Sequence, residues 1–302
     1  MIEVHRPTHR CETSGDAMTK TLLVPLDGSD AALRALPVAG RLSRLLDADV
    51  TLVAAELPGS PESPDRDWLA GLVPKIGVRG ARLEIVRGLE VADALGALAA
   101  DVLEPVVCMA THARAPIGRA WFGSVAEDVL RTLTLPVVLV GPRFDAAWKA
   151  HGPLVVAVDG SDAAYAALGV ALEWDRTLER GVTLVHVAHP LDVDLVPDAV
   201  LDTAKRRYPG VAMDASVVRS REPEWEIVDF ARGLDASLVV CASHGRSGAR
   251  RLVMGSVAMG VVHRASCPVL VHRPVALPGH SVQGPSVTQR RPVAASAEAP
   301  TS

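Results

Sequence analysis

Two short stretches carry the residue types best suited to chemistry, and each occurs twice. The first is an aspartate that closes an apolar run: Asp27 in Val24-Pro25-Leu26-Asp27-Gly28-Ser29-Asp30, and Asp159 in Val156-Ala157-Val158-Asp159-Gly160-Ser161-Asp162. A carboxylate at the end of a strand can accept hydrogen bonds from a ribose or another polyol. It can equally cap the helix that follows, and both readings stay open. The second is a glycine-bearing segment that runs from Ala242-Ser243-His244-Gly245 through Arg246, Arg250 and Arg251 to Met254-Gly255-Ser256 and leads into a helical pattern. Backbone N–H groups of such a loop, with the N-terminus of the helix it opens, make an anion site. Gly245 and Gly255 have no Cβ and allow close backbone approach. Ser256 adds a hydroxyl, and the three arginines add charge. The plain alternative is an ordinary exposed loop, which glycine spacing alone does not exclude.

Both stretches belong to a repeat that runs the length of the chain. Asp27 returns as Asp159, 132 positions on, and the same offset carries Val50-Thr51-Leu52-Val53 onto Val182-Thr183-Leu184-Val185. It also carries His112 onto His244, Arg114 onto Arg246, Gly123-Ser124-Val125-Ala126 onto Gly255-Ser256-Val257-Ala258, and Pro136-Val137 onto Pro268-Val269. A constant offset across so many segments marks a duplicated domain with almost no net insertion.

The elements that must position these residues follow from the apolar pattern. Continuous runs of Val, Leu and Ile at 21–26, 50–55, 81–86, 105–110 and 136–140 recur at 153–158, 182–187, 213–218, 237–242 and 268–272. Strands buried on both faces look like this. Helical spacing fills the gaps: Ala31, Ala35, Val38 and Leu42 keep one apolar face, and Ser29 and Ser161 stand as N-caps before acidic first turns. Strands alternating with helices give an α/β fold with a parallel sheet, whose ligand crevice lies beyond the carboxyl ends of the strands. Residues 1–19 and 274–302 lack this pattern and are expected to be flexible tails, with Met18 an alternative start. The join between the units falls near Gly141–Gly152, where Trp148 is expected to pack at the interface.

Composition narrows the chemistry. Of 302 residues, 49% are hydrophobic and 22% charged, enough apolar surface for sizeable cores. The net charge of −4 provides no global positive field for nucleic acid or an anionic membrane, and 3% aromatic residues leave little for base stacking. Lysine occurs only at Lys20, Lys75, Lys149 and Lys205, and the other basic residues are arginine. The four cysteines, Cys11, Cys108, Cys241 and Cys267, form no CxxC pair and suit buried thiols in a reducing compartment. No run approaches the roughly 20 apolar residues of a membrane span, and the first residues have no secretory signal core. A cytoplasmic protein is expected. No phosphate loop ending in Gly-Lys, dinucleotide fingerprint, kinase signature or nucleophile elbow is present, and no catalytic residue is assigned to His112 or His244. His186 and His189 flank a strand end and read as polar rather than metal-ligating.

The order Val-Asp-Gly-Ser, then Ala-Ser-His-Gly, nine residues, Gly-Ser-Val-Ala and Cys-Pro-Val-Leu-Val resembles the universal stress protein family. The resemblance covers both units, 20–143 and 152–273. It implies two tandem Rossmann-like (adenine nucleotide α-hydrolase-like) domains, each a five-stranded parallel sheet flanked by helices. ATP-binding members carry Gly-x2-Gly-x9-Gly-(Ser/Thr) in this loop. Carried over, Asp159 would hold the ribose and Val187 would meet the adenine. Gly245, Arg246, Gly255, Ser256 and Val257 would surround the phosphates, with Mg2+ or Mn2+ as their companion. The first glycine of the motif is Ala242 here, a change the site tolerates if the backbone φ is negative.

In the first unit the matching residues are Asp27, Ala55, Gly123, Ser124 and Val125, and both leading glycines are alanines, Ala110 and Ala113. The second unit is therefore expected to be the better nucleotide site. The resemblance implies a stress-response regulator that binds ATP or a related adenine nucleotide and acts on an unidentified protein partner. A scaffold that has lost nucleotide binding is the alternative, and a slow ATP-hydrolysing enzyme stands behind it. Family members pair through the last strand, so Val137–Val140 and Val269–His272 are expected to join the units as a pseudo-dimer within one chain, with a homodimer as a further option.

Overall fold

The apolar runs become ten strands. The computed structural model describes residues 20–56, 64–78, 80–87, 90–111, 123–191, 198–245 and 254–273. The first unit holds β1 (Thr21–Leu26), β2 (Asp49–Glu56), β3 (Arg82–Arg87), β4 (Pro105–Ala110) and β5 (Val137–Val140). The second holds β6 (Leu154–Ala157), β7 (Val182–Ala188), β8 (Asp214–Arg219), β9 (Leu238–Ala242) and β10 (Val269–His272). The helices of the first unit are α1 (Asp30–Leu33), α2 (Ala35–Leu46), α3 (Arg66–Ile76), α4 (Val91–Ala100) and α5 (Ser124–Thr132). Those of the second are α6 (Asp162–Leu178), α7 (Asp198–Arg207), α8 (Pro223–Gly233) and α9 (Ser256–Arg264).

All ten strands form one sheet in the order β3-β2-β1-β4-β5-β10-β9-β6-β7-β8. Pairing is parallel within each unit, as buried crossover strands require. Because side chains alternate across a strand, each central strand feeds two apolar layers. Leu22 and Val24, with Leu154 and Val156, pack on one face under residues of α2 and α6. Leu23 and Val155 pack on the other with Val129 of α5 and Val261 of α9. Both layers run unbroken from one unit into the next.

The units meet where β5 and β10 pair antiparallel, Val269 opposite Leu139 and Val271 opposite Val137. The five-stranded sheets expected from the sequence are thus halves of a single sheet, joined through their last strands. The carboxyl ends of the two sets of parallel strands therefore lie at opposite ends of it. The seam is not symmetric. A Cβ on Gly141 would lie 2.0 Å from the carbonyl oxygen of Val262, so the backbones meet with only a hydrogen between them. At the counterpart positions Arg273 donates through Nη1 to the carbonyls of Leu130, at 3.0 Å, and Arg131, at 2.5 Å.

The connection after β5 is tied to both units. Arg34 donates to Pro142 O at 3.1 Å, Asp145 N–H to Ser266 O at 2.9 Å, and Trp148 Nε1 to Ser237 O at 3.0 Å. Trp148 also stacks edge-on against Phe144, with centroids 5.8 Å apart. Lys20 bridges the units from below, holding Glu104 of its own unit and Glu173 of α6.

Ser29 and Ser161 cap their helices, accepting from Ala32 N–H at 3.2 Å and Ala164 N–H at 3.1 Å. The first of these helices departs from expectation. The second unit has one long helix, α6, but the first has a break at Arg34 between α1 and α2. Pro37 accounts for it: proline donates no N–H, and its ring crowds the carbonyl four residues back, at Leu33. Ala32 rather than Ala31 is buried against the core, as Ala164 rather than Ala163 is in the unbroken α6.

Candidate functional site

Strand β6 lies between β7 and β9, and the chain leaves β6 and β9 toward opposite faces of the sheet, which opens a crevice at their carboxyl ends. A cavity of about 290 Å3 occupies it. That is near the lower end of the range for small-molecule sites, about 300–1,000 Å3. Asp159, Val187, Ala242, Gly245, Gly255, Ser256 and Val257, all singled out from the sequence, line this one cavity. Pro223 and Ile227 of α8 and Cys241 of β9 line it too. Arg246, Arg250 and Arg251 lie outside the described residues.

Asp159 sits at the turn from β6 into α6, where Gly160 takes φ +87°, a conformation that favours glycine. Its Oδ1 accepts from Ser161 N–H at 3.0 Å, so the carboxylate is tied to the turn it stands in. Gly245 has a reason that loop chemistry did not suggest. A Cβ there would lie 2.2 Å from Asp159 Oδ2. The glycine makes room for the carboxylate.

Gly255 is different. Its N–H donates to Ser243 O at 2.7 Å and closes the base of the loop. A Cβ on it would rest 3.5 Å from the nearest atom, in ordinary contact. The fold itself does not demand glycine there. Ala242, where the motif has glycine, is an extended strand residue opposite His272, and positive φ among non-glycine residues falls elsewhere. Its methyl group is therefore unstrained. Ser256 and Val257 form the exposed first turn of α9, where helix N–H groups have no intrahelical acceptors.

The histidines divide. His244 Nδ1 lies 3.2 Å from the hydroxyl of buried Ser243. His189 Nδ1 accepts from Leu191 N–H at 3.2 Å, while His186 is buried with Nδ1 2.8 Å from Val158 O. Among the described residues no group of three or more His, Cys, Asp or Glu could hold a metal ion.

Burial pushes the thiols of Cys108, Cys241 and Cys267 up to about 12. The thiolate, the reactive form, is therefore scarce at neutral pH even for Cys241 on the cavity floor. All three thiols are expected to resist an aromatic disulfide reagent at pH near 8 and to react once the chain is unfolded. Rapid labelling of Cys241 in the folded protein would show that its cavity wall opens.

The first unit brings its matching residues together less well. Asp27 Oδ1 accepts from both Ser29 N–H, at 3.0 Å, and Ser29 Oγ, at 2.7 Å. Gly123 N–H closes on Thr111 O at 2.8 Å, repeating the loop base of the second unit. Ser124 and Val125 line a separate cavity with Glu90, Glu127, Asp128 and Arg131, and Asp27 is not on its wall. Met109, buried, stands where the second unit has the smaller Cys241. The backbone of Ala55 belongs to β2, and His112 and Ala113 lie outside the described residues. No described helix is long and apolar enough to cross a membrane.

Residues 18–141 and 151–273 each match the model of the Universal stress protein family. A universal stress protein of Mycobacterium tuberculosis is 33% identical over 187 residues, covering 56% of this chain and 61% of its own length. A universal stress protein of Mycolicibacterium smegmatis is 27% identical over 290 residues, covering 84% of this chain and 97% of its own. The chain thus spans about three fifths of the first relative and nearly all of the second. The crystal structure of a universal stress protein from Archaeoglobus fulgidus has a TM-score of 0.64 at 19% identity, over 84% of this chain and 98% of its own, and shares the fold.

Proposed function

The chain belongs to the universal stress protein family, and on that premise we propose that its second unit binds an adenine nucleotide, ATP foremost, and that occupancy makes it a regulator in the cytoplasmic stress response. The observation that carries this reading is the fit of Gly245 against Asp159. A tethered carboxylate for ribose hydroxyls stands beside a glycine-bearing loop base and an open helix N-terminus, all on one cavity. In this reading Val187 meets the base, and Gly245, Gly255, Ser256 and Val257 surround the phosphates with Arg246. The described residues offer no cage of their own for a divalent ion, so Mg2+ or Mn2+ would be held chiefly by phosphate oxygens. Phosphate contact with loop N–H groups exists only in the bound state, and it is this difference that would alter a partner surface.

Calorimetric titration with MgATP tests the reading directly. Wild type and Asp27→Ala are expected to bind alike, with one site per chain, while Asp159→Ala loses about tenfold or more, as expected when a charged hydrogen-bond acceptor is removed. Nucleotide released by heat from the purified protein, identified by mass spectrometry, is expected to be an adenine nucleotide. A chain that neither carries nucleotide nor binds MgATP would leave the scaffold reading, which Ala242 and the divided first-unit residues favour. Steady release of phosphate abolished by Ser256→Ala would instead mark an enzyme.

A further inference from the structure

The two units share a strand order but not the point at which their first two strands separate. In the second unit β6 and β7 pair from Leu154–Val182 to Ala157–Val185 and then part. In the first unit the equivalent pairing of β1 with β2 runs one pair further, to Leu26–Ala54. The counterparts of that last pair are Val158 and His186. There the imidazole of His186, 5% exposed, sets Nδ1 2.8 Å from the carbonyl oxygen of Val158. A carbonyl only accepts, so Nδ1 carries the proton and the ring is fixed in one tautomer.

The peptide so held joins Val158 to Asp159. On its other side Val158 N–H donates to Val185 O at 3.0 Å, so the residue before the site carboxylate is anchored at both ends. Val185 and Val187, the neighbours of His186, line the cavity, and side chains alternate along a strand. His186 therefore works from behind the wall and does not touch a ligand. Ala54 in the first unit has no polar side chain with which to do the same.

We propose that His186 is a positioning residue for the second-unit pocket: its ring ties the carboxyl end of β6 to β7 just past their last paired residues and fixes the peptide that aims Asp159 into the crevice. The proposal rests on the nucleotide reading above for its ligand, but its geometry can be tested separately. His186→Asn keeps a donor near the place of Nδ1, and His186→Leu keeps bulk without a donor. His186→Asn is expected to bind MgATP within about threefold of wild type, and His186→Leu about tenfold or more weaker, the size of a lost buried hydrogen bond.

A histidine needed only for packing would lower stability in the variants and leave affinity alone, so His186→Leu binding MgATP as tightly as wild type overturns the proposal. Nitrogen-15 NMR of the imidazole gives a readout that needs no ligand. A proton on Nδ1 is expected, and a ring whose Nδ1 carries none overturns the proposal. If wild type binds no MgATP, yet the ring is protonated at Nδ1 and a crystal structure of His186→Leu shows Asp159 displaced, the nucleotide reading falls and the positioning role stands.

Discussion

Gly245→Ala is expected to weaken MgATP binding by about 30-fold or more, roughly 2 kcal/mol. The added methyl would stand 2.2 Å from Asp159 Oδ2, well inside contact distance. Something must move, and the carboxylate is held at its other oxygen by Ser161 N–H at 3.0 Å. Either Asp159 swings out of its turn or the loop base lifts away, and each outcome separates the groups for ribose and phosphate. Gly255→Ala is the control on the same loop. Its Cβ finds 3.5 Å of room, so stability should stay within about 0.5 kcal/mol of wild type. Any affinity lost there reports the ligand pressing on that residue. Titration calorimetry beside thermal melts separates the cases, and equal affinity for wild type and Gly245→Ala would show that the carboxylate moves freely.

The second large effect lies at the seam. Gly141→Ala puts a methyl 2.0 Å from the carbonyl oxygen of Val262 and 3.2 Å from its carbon, both backbone atoms of α9. No rotamer change relieves that clash, and Val261 and Val262 are buried beside it. Overpacking of this kind costs about 1–3 kcal/mol. At about 2–4 °C per kcal/mol for a chain of this size, the melting temperature should fall by roughly 2–12 °C in scanning calorimetry. Arg273→Ala, which removes the hydrogen bonds at the counterpart position, should lose only about 1 kcal/mol. A Gly141→Ala protein that melts with wild type would mean that the two units do not meet at this carbonyl.

Much of this architecture is legible in the amino-acid order, and the exceptions have physical reasons. Apolar runs locate the eight inner strands because these are buried on both sides and announce themselves locally, while the edge strands β3 and β8 are only partly covered and carry weaker runs. The serine caps are equally local, a hydroxyl three residues from its N–H. Gly245 was readable as a close approach but not as one to Asp159, since the partner lies in the other half of the unit. His186 looks like a polar strand end within Val185-His186-Val187, and its bond to Val158 shows only when the two strands are laid side by side. A period-2 pattern says which face a residue takes, not where a ladder stops. The break at Arg34 was foreseeable from Pro37, whose clash is with a residue four earlier, but the intact apolar spacing masked it.

Because the seam is antiparallel, the helices of one unit run opposite to those of the other. Each peptide dipole adds along a helix, giving about half a positive charge at the N-terminus. Summed over the molecule, the two sets oppose one another and the axial moment largely cancels. Each pole still presents the positive helix ends of one unit beside the negative ends of the other. An anion approaching from afar therefore feels little pull from the helices as a group. The helix contribution is felt only within about a turn of the helix that receives the anion, so at the second-unit crevice it is the N-terminus of α9, and not the helices as a group, that adds to capture.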